Sequence, residues 1–176
     1  EFIDKFLNGR GVKATSIIPR VIEGNTGRTE LVNDFNPEEA RKLLAKAGYP
    51  GGKGLPAIKY DLRGPSTTAR QQAEYFKKLL ADIGVNIDIV VNTFPAYLEK
   101  EKNGNLQFFM GGWNADFPDA ENFMFLLNGA ESKVEKGGEN ASNFRNAEFD
   151  RMFAEMKNME NGPQRLAIIN RMNRIL

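Results

Sequence analysis

Apolar residues recur along this chain with two different periods. Ile58, Tyr60 and Leu62 alternate with polar neighbours, as do Val85, Ile87, Ile89 and Val91, which is the spacing of a strand with one buried face. Between them Ala69, Ala73, Phe76, Leu80 and Ile83 fall on one side of a helix over Ser66–Ile83, closed by Gly84. Thr93 caps a short helix running through Lys102, and Leu106–Met110 reads as a third strand. The order strand–helix–strand–helix–strand predicts parallel pairing with right-handed crossovers. The fold class is therefore α/β, a mainly parallel sheet with flanking helices.

The flanking segments add helices. Phe2, Ile3, Phe6 and Leu7 form an apolar helical stripe, and Gly9–Asn36 is mostly irregular, with Ile17-Ile18-Pro19 as an extended, docked piece. Asn36-Pro37-Glu38-Glu39 starts a helix: a capping amide, a proline in the first turn, and acids near the positive end of the dipole. Asp119 caps a helix containing Phe123, Leu126 and Leu127. Residues 128–142 are poor in apolar side chains and rich in Gly, Glu and Lys, which predicts a mobile loop. Two helices follow, near Asn146–Glu160 and Pro163–Leu176, with Phe149, Met152, Phe153 and Met156, then Leu166, Ile169 and Met172, available for packing. The first stripe has no cap before it and the last has no stop signal, so residues 1–176 read as a single α/β lobe excised from something longer.

Charge narrows the function. With 24 Lys+Arg against 23 Asp+Glu, the formal charge is +1. A nucleic-acid binder normally shows a marked basic excess, so no nucleic-acid partner is expected. Cysteine and histidine are both absent. That removes zinc sites built on those residues, cysteine nucleophiles and any histidine-dependent triad, and no metal or cofactor site is expected. No apolar run approaches the roughly 18 residues of a membrane-crossing helix, and EFIDKFL lacks the basic start and apolar block of a secretory signal.

Chemistry concentrates in Leu106–Asp119, LQFFMGGWNADFPD. A strand leads through Gly111 and Gly112 into the only tryptophan, Trp113, and then past Asn114 to Asp116 and Asp119. The glycines remove side chains and let something approach the backbone, with φ > 0 open to either. In open α/β sheets, ligands sit at the carboxyl ends of strands. An aromatic wall beside carboxylates suits a ligand with an apolar part and a cationic part. Asp119 is better explained as a helix cap than as a ligand contact. Arg63-Gly64-Pro65-Ser66-Thr67 ends the first strand and opens a helix, where it suits a ligand carboxylate or serves as a plain turn and cap. Asp116 and Asp119 also invite a glycosidase-like reading, but three positions apart in a loop ensures no useful separation. Asn140-Ala141-Ser142 matches a glycosylation acceptor, and Glu99–Lys102 reads as an exposed helix face.

Several runs together resemble a family. They are Gly11-Val12-Lys13-Ala14 to Ile18-Pro19, Asn36 through Pro50 (NPEEARKLLAKAGYP), Leu80-Ala81-Asp82-Ile83-Gly84-Val85, Gly112 through Asp119, and Asn140-Ala141-Ser142-Asn143-Phe144 through Phe149-Asp150. In this order they resemble the extracytoplasmic solute-binding proteins of peptide-type ABC transporters. The resemblance implies one lobe of a two-lobed periplasmic-binding-protein fold that closes on a peptide or other small solute, with the second lobe elsewhere in the same protein. It implies an ABC permease as partner and a periplasmic or extracytoplasmic location. It also gives Asp116 the ligand's α-ammonium and places Trp113 on the pocket wall, with Gly111, Gly112, Asn114 and Arg63 completing the candidate contacts. Members often carry proline where this chain has Ala120. A non-peptide solute, a sensor lobe and a small α/β hydrolase are the alternatives, the last disfavoured by the missing histidine.

Overall fold

Three parallel strands, β1 (Ile58–Leu62), β2 (Ile87–Val91) and β3 (Phe108–Phe109), stand in the order β2-β1-β3. Residues 1–25 and 35–176 are described by the computed structural model, so part of the irregular stretch expected over Gly9–Asn36 lies outside the described residues. The parallel arrangement follows the predicted alternation of strands and helices. Ile58 faces Ile87 and Leu62 faces Val91 across β1 and β2, whereas β3 pairs only through Phe108 and Phe109, opposite Tyr60 and Asp61. The third strand is thus shorter than the apolar run that predicted it. Its start is displaced because the Gln107 side chain, not a backbone carbonyl, accepts the Lys59 N–H at 2.9 Å.

The described residues form two compact units. One comprises Glu1–Gly11, residues 35–100 and Asn105–Gly111; the other comprises residues 12–25, Glu101–Gly104 and Gly112–Leu176.

The first unit holds the sheet. Helices α1 (Phe2–Leu7), α2 (Pro37–Lys46), α3 (Thr67–Ala81) and α4 (Phe94–Lys102) precede, join or follow its strands. Asn36 caps α2 by accepting from Glu39 N at 3.0 Å, and Ser66 caps α3 by accepting from Ala69 N at 3.4 Å. The core is Tyr60, Leu62, Ala73 and Ile87, with Ala69, Phe76 and Leu80 of α3 laid against it. The Phe2 ring stacks on Phe76, centroids 5.4 Å apart. Gly52 is required where two turns touch: a Cβ there would lie 1.7 Å from the Gly84 carbonyl oxygen, and its φ is +78°.

Alternation in β1 breaks at Asp61, which is 2% exposed. Its carboxylate accepts from Lys100 Nζ at 2.6 Å and from Asn92 Nδ2 at 2.9 Å. The exposed face read over Glu99–Lys102 is therefore wrong at Lys100, which turns its ammonium onto a buried acid.

In the second unit α5 (Glu121–Met124) runs into a 3-10 turn, Phe125–Leu127, and is followed by α6 (Lys133–Lys136), α7 (Ala147–Met156) and α8 (Pro163–Asn173). Ile18, Met124, Phe149, Met156, Ile169 and Met172 lie at the centre of its core, so the docked isoleucine and the methionine stripe of α7 are structural. Residues 128–142 fold around Asn140, which is 0% exposed. Its Nδ2 donates to Asn128 O and Phe144 O, and its Oδ1 accepts from Ser142 Oγ and Phe144 N. Burial and four bonds remove this amide from use as a glycosylation acceptor.

Candidate ligand-binding segment

Between Gly111 and Gly112 the chain passes from the first unit to the second. Neither glycine belongs to those with positive φ, and nothing lies within 4 Å of a Cβ built on either. The left-handed conformation allowed for them in the sequence is not used. What the pair provides is bare backbone with open space beside it.

Trp113 is half-buried against the second unit's core, its ring edge-on to Phe125 with centroids 5.2 Å apart. An indole has one hydrogen-bonding atom, and here its Nε1–H donates to Asn122 Oδ1 at 3.0 Å. The same oxygen accepts the Asp116 backbone N–H at 2.9 Å. Asn122 Nδ2 in turn lies 3.4 Å from Asp116 Oδ2. Asn122, 4% exposed on α5, thus ties the indole and the carboxylate-bearing residue together. Asp116 and Asn114 are exposed. Trp113 therefore packs on the core while standing beside an exposed acid.

Asp119 closes the segment. Its Oδ1 accepts the Glu121 N–H at 2.7 Å, a turn just ahead of α5, whose N-cap is Ala120 and not Asp119 as expected. Both of its oxygens also meet the guanidinium of Arg165, Oδ1 at 2.6 Å and Oδ2 at 3.0 Å. Burial pushes this carboxyl's pKa up, but the Arg165 and Glu121 hydrogen bonds and the guanidinium charge outweigh it and hold the acid below its ordinary value. Arg165 is 5% exposed and further donates to Met156 O at 3.1 Å and Asn161 Oδ1 at 2.8 Å.

Arg63 belongs to the first unit, just past β1. Its guanidinium lies 5.3 Å from the Phe94 ring centroid and 5.6 Å from that of Tyr97, within cation–π range of both rings. Of the candidate residues, then, Trp113 and Asp116 are joined through one amide, Gly112 and Asn114 are exposed in the same stretch, and Arg63 and Gly111 belong to the other unit.

Sequence reasoning missed Asn122 and Arg165. Nothing in the local pattern marks Asn122, since an asparagine near a helix start is ordinary. Arg165 carried a usable signal: a cation in the first turn of α8 opposes the helix dipole, so it needs a negative partner from elsewhere. Among the described residues no group of three or more His, Cys, Asp or Glu is placed to hold a metal, and no helix is long and apolar enough to cross a membrane.

Residues 1–134 match the family described as bacterial extracellular solute-binding proteins, family 5 Middle. The chain is 30% identical over 166 residues to heme-binding protein A of Haemophilus influenzae, covering 93% of this chain and 29% of that protein. It is 32% identical over 128 residues to the dipeptide-binding protein of Escherichia coli, covering 71% of this chain and 23% of that one. The crystal structure of a dipeptide binding protein from Pseudoalteromonas sp. SM9913 in complex with Met-Leu superposes with a TM-score of 0.85 at 25% identity, over 99% of this chain and 34% of its own. The chain thus spans about a third or less of the proteins it matches.

Proposed function

The chain belongs to the bacterial extracellular solute-binding proteins of family 5, and we propose that it forms one lobe of a protein that captures peptides for an ABC importer. The reading takes in residues 1–176 as a single lobe, an extracytoplasmic location, a second lobe of the same protein and a membrane permease as partners. Its work is capture without chemistry. Ligand binds the open protein, closure removes water, and the closed form is what the permease meets. Closure matters because an ion pair gains strength as the surrounding dielectric falls.

The observation that carries this reading is the clamp of Trp113 and the exposed Asp116 onto Asn122. Residues 112–119, GWNADFPD, contain two acids and no base. Asp119 is occupied by Arg165 and the α5 amide, so Asp116 is left to meet a cation. A peptide's α-ammonium fits that charge, with Trp113 and the bare backbone at Gly112 beside it. Heme, the ligand in one relative's name, carries anionic propionates that this stretch would repel. Arg63 belongs to the other unit and stands outside this assignment.

Calorimetry on the full-length protein carrying Asp116→Asn tests the assignment. Removing one partner of an enclosed ion pair costs about 3 kcal/mol or more, which is roughly a 100-fold loss of affinity. Peptides with a free amine should show that loss, and N-acetylated peptides, weak from the outset, should change little. Equal losses for both classes would remove the ammonium-partner role.

A further inference from the structure

We propose that Asn122 is the positioning residue of this site, setting the free-amine selectivity of a ligand it never touches; the inference rests on the assignment of the ammonium to Asp116. An amide oxygen accepts two hydrogen bonds, and both positions of Asn122 Oδ1 are filled, by the Trp113 indole at 3.0 Å and the Asp116 N–H at 2.9 Å. Turning the amide over would set its NH2 group against two N–H donors. The orientation is therefore forced. With the oxygen so held, the nitrogen faces Asp116 Oδ2 at 3.4 Å. That contact is long for a strong bond, but it presents a positive edge to one carboxylate oxygen and leaves the other for a ligand.

One buried side chain thereby holds three things: the rotation of the indole, the backbone at residue 116, and the turn of its carboxylate. Asn122 is 4% exposed, and Phe123 and Met124 beside it are core residues, so the amide has little freedom of its own. Asp116, by contrast, is exposed on a loop. Without Asn122 its carboxylate would sample several rotamers and the ammonium would have to select one, the loss of preorganisation that weakens binding without removing a contact.

The test uses the full-length protein with trialanine and N-acetyl-trialanine as probes, and reads the ratio of their affinities. Asn122→Leu keeps the branched shape and removes the acceptor; it should lower the ratio about tenfold and shift the Trp113 indole N–H resonance, which is assigned by its loss in Trp113→Phe. Asn122→Asp keeps an acceptor for both N–H groups and should retain the resonance, but it sets an oxygen against Asp116 Oδ2 and should still lower the ratio. Met152→Ala, a core change elsewhere in the same unit, should cost stability while leaving the ratio intact. A native ratio in Asn122→Leu overturns the positioning role, whereas a native ratio in Asp116→Asn overturns the ammonium assignment itself. If Asn122→Leu does not fold, Asn122→Ser, whose hydroxyl cannot span to the Asp116 carboxylate, is read the same way: a lowered ratio supports the role and a native one refutes it.

Discussion

Replacing Asp119 by alanine strips two of the four hydrogen bonds made by the Arg165 guanidinium, those at 2.6 and 3.0 Å. The bonds to Met156 O and Asn161 Oδ1 remain, but both acceptors are neutral. The Arg165 side chain is 6% exposed, so its charge cannot turn to water instead. Removing one partner of a buried pair costs about 3–5 kcal/mol. The Asp119 side chain is 26% exposed, which screens part of the attraction and favours the lower end, about 3 kcal/mol. For a chain of this size that is a fall in Tm of roughly 6–12 °C. Arg165→Met should cost less, about 1–2 kcal/mol, because Asp119 retains the Glu121 N–H and reaches solvent. The double variant should then be more stable than Asp119→Ala alone, since the stranded charge has gone. Urea unfolding of the four proteins supplies the cycle. A loss below about 1 kcal/mol in Asp119→Ala, the upper end for an exposed pair, would refute the argument from burial. The pH dependence carries a second check. Because the folded Asp119 titrates below its ordinary value, its contribution is full above the unfolded pKa of roughly 4 and disappears as pH falls through the folded one. Asp119→Asn should therefore flatten the stability curve below about pH 4 and leave the rest of its shape unchanged.

Three further expectations concern places where side chains are absent or enclosed. Gly52→Ala should unfold or severely destabilise the first unit, since its Cβ would fall 1.7 Å from a backbone oxygen at φ +78°. Gly112→Ala should leave Tm within about 1 °C and weaken peptide binding only; a matching loss of stability would show the glycine to be structural. Asn140→Ala removes the side-chain partner of two carbonyls and one N–H, but Asn128 O keeps the Glu131 N–H and the Phe144 N–H keeps Ser142 Oγ, so Phe144 O is the group stranded and the cost should be about 1–3 kcal/mol. Hydrogen exchange across residues 128–144 would report it directly, and unchanged protection there would contradict the role given to Asn140.

The sheet was legible because its strands and α3 repeat apolar residues at periods that few other structures share. Asn36 and Ser66 announced their helices for the same reason: a cap is a local device and needs nothing distant. What composition alone concealed was long-range polar pairing. Asp61 sits where alternation asks for a solvent-facing residue, yet it is buried because Lys100, 39 residues away, reaches it. Residues 128–142 are poor in apolar side chains and so read as mobile, while Asn140 ties the stretch together with hydrogen bonds from one buried amide. The candidate site shows the same division. Trp113 and Asp116 stand out from their neighbours in sequence, but the residue that joins them is an unremarkable asparagine six positions on. The glycine pair stands out for its lack of side chains, while the left-handed conformation open to it is not used.

A crystal structure of the full-length protein with trialanine bound measures the central claim without intermediaries. The peptide's amino-terminal nitrogen should lie about 2.7–2.9 Å from a carboxylate oxygen of Asp116, the separation of a charge-assisted bond, with the indole of Trp113 still donating to Asn122. An Asp116 carboxylate left in solvent while the ammonium meets a different acid would contradict it.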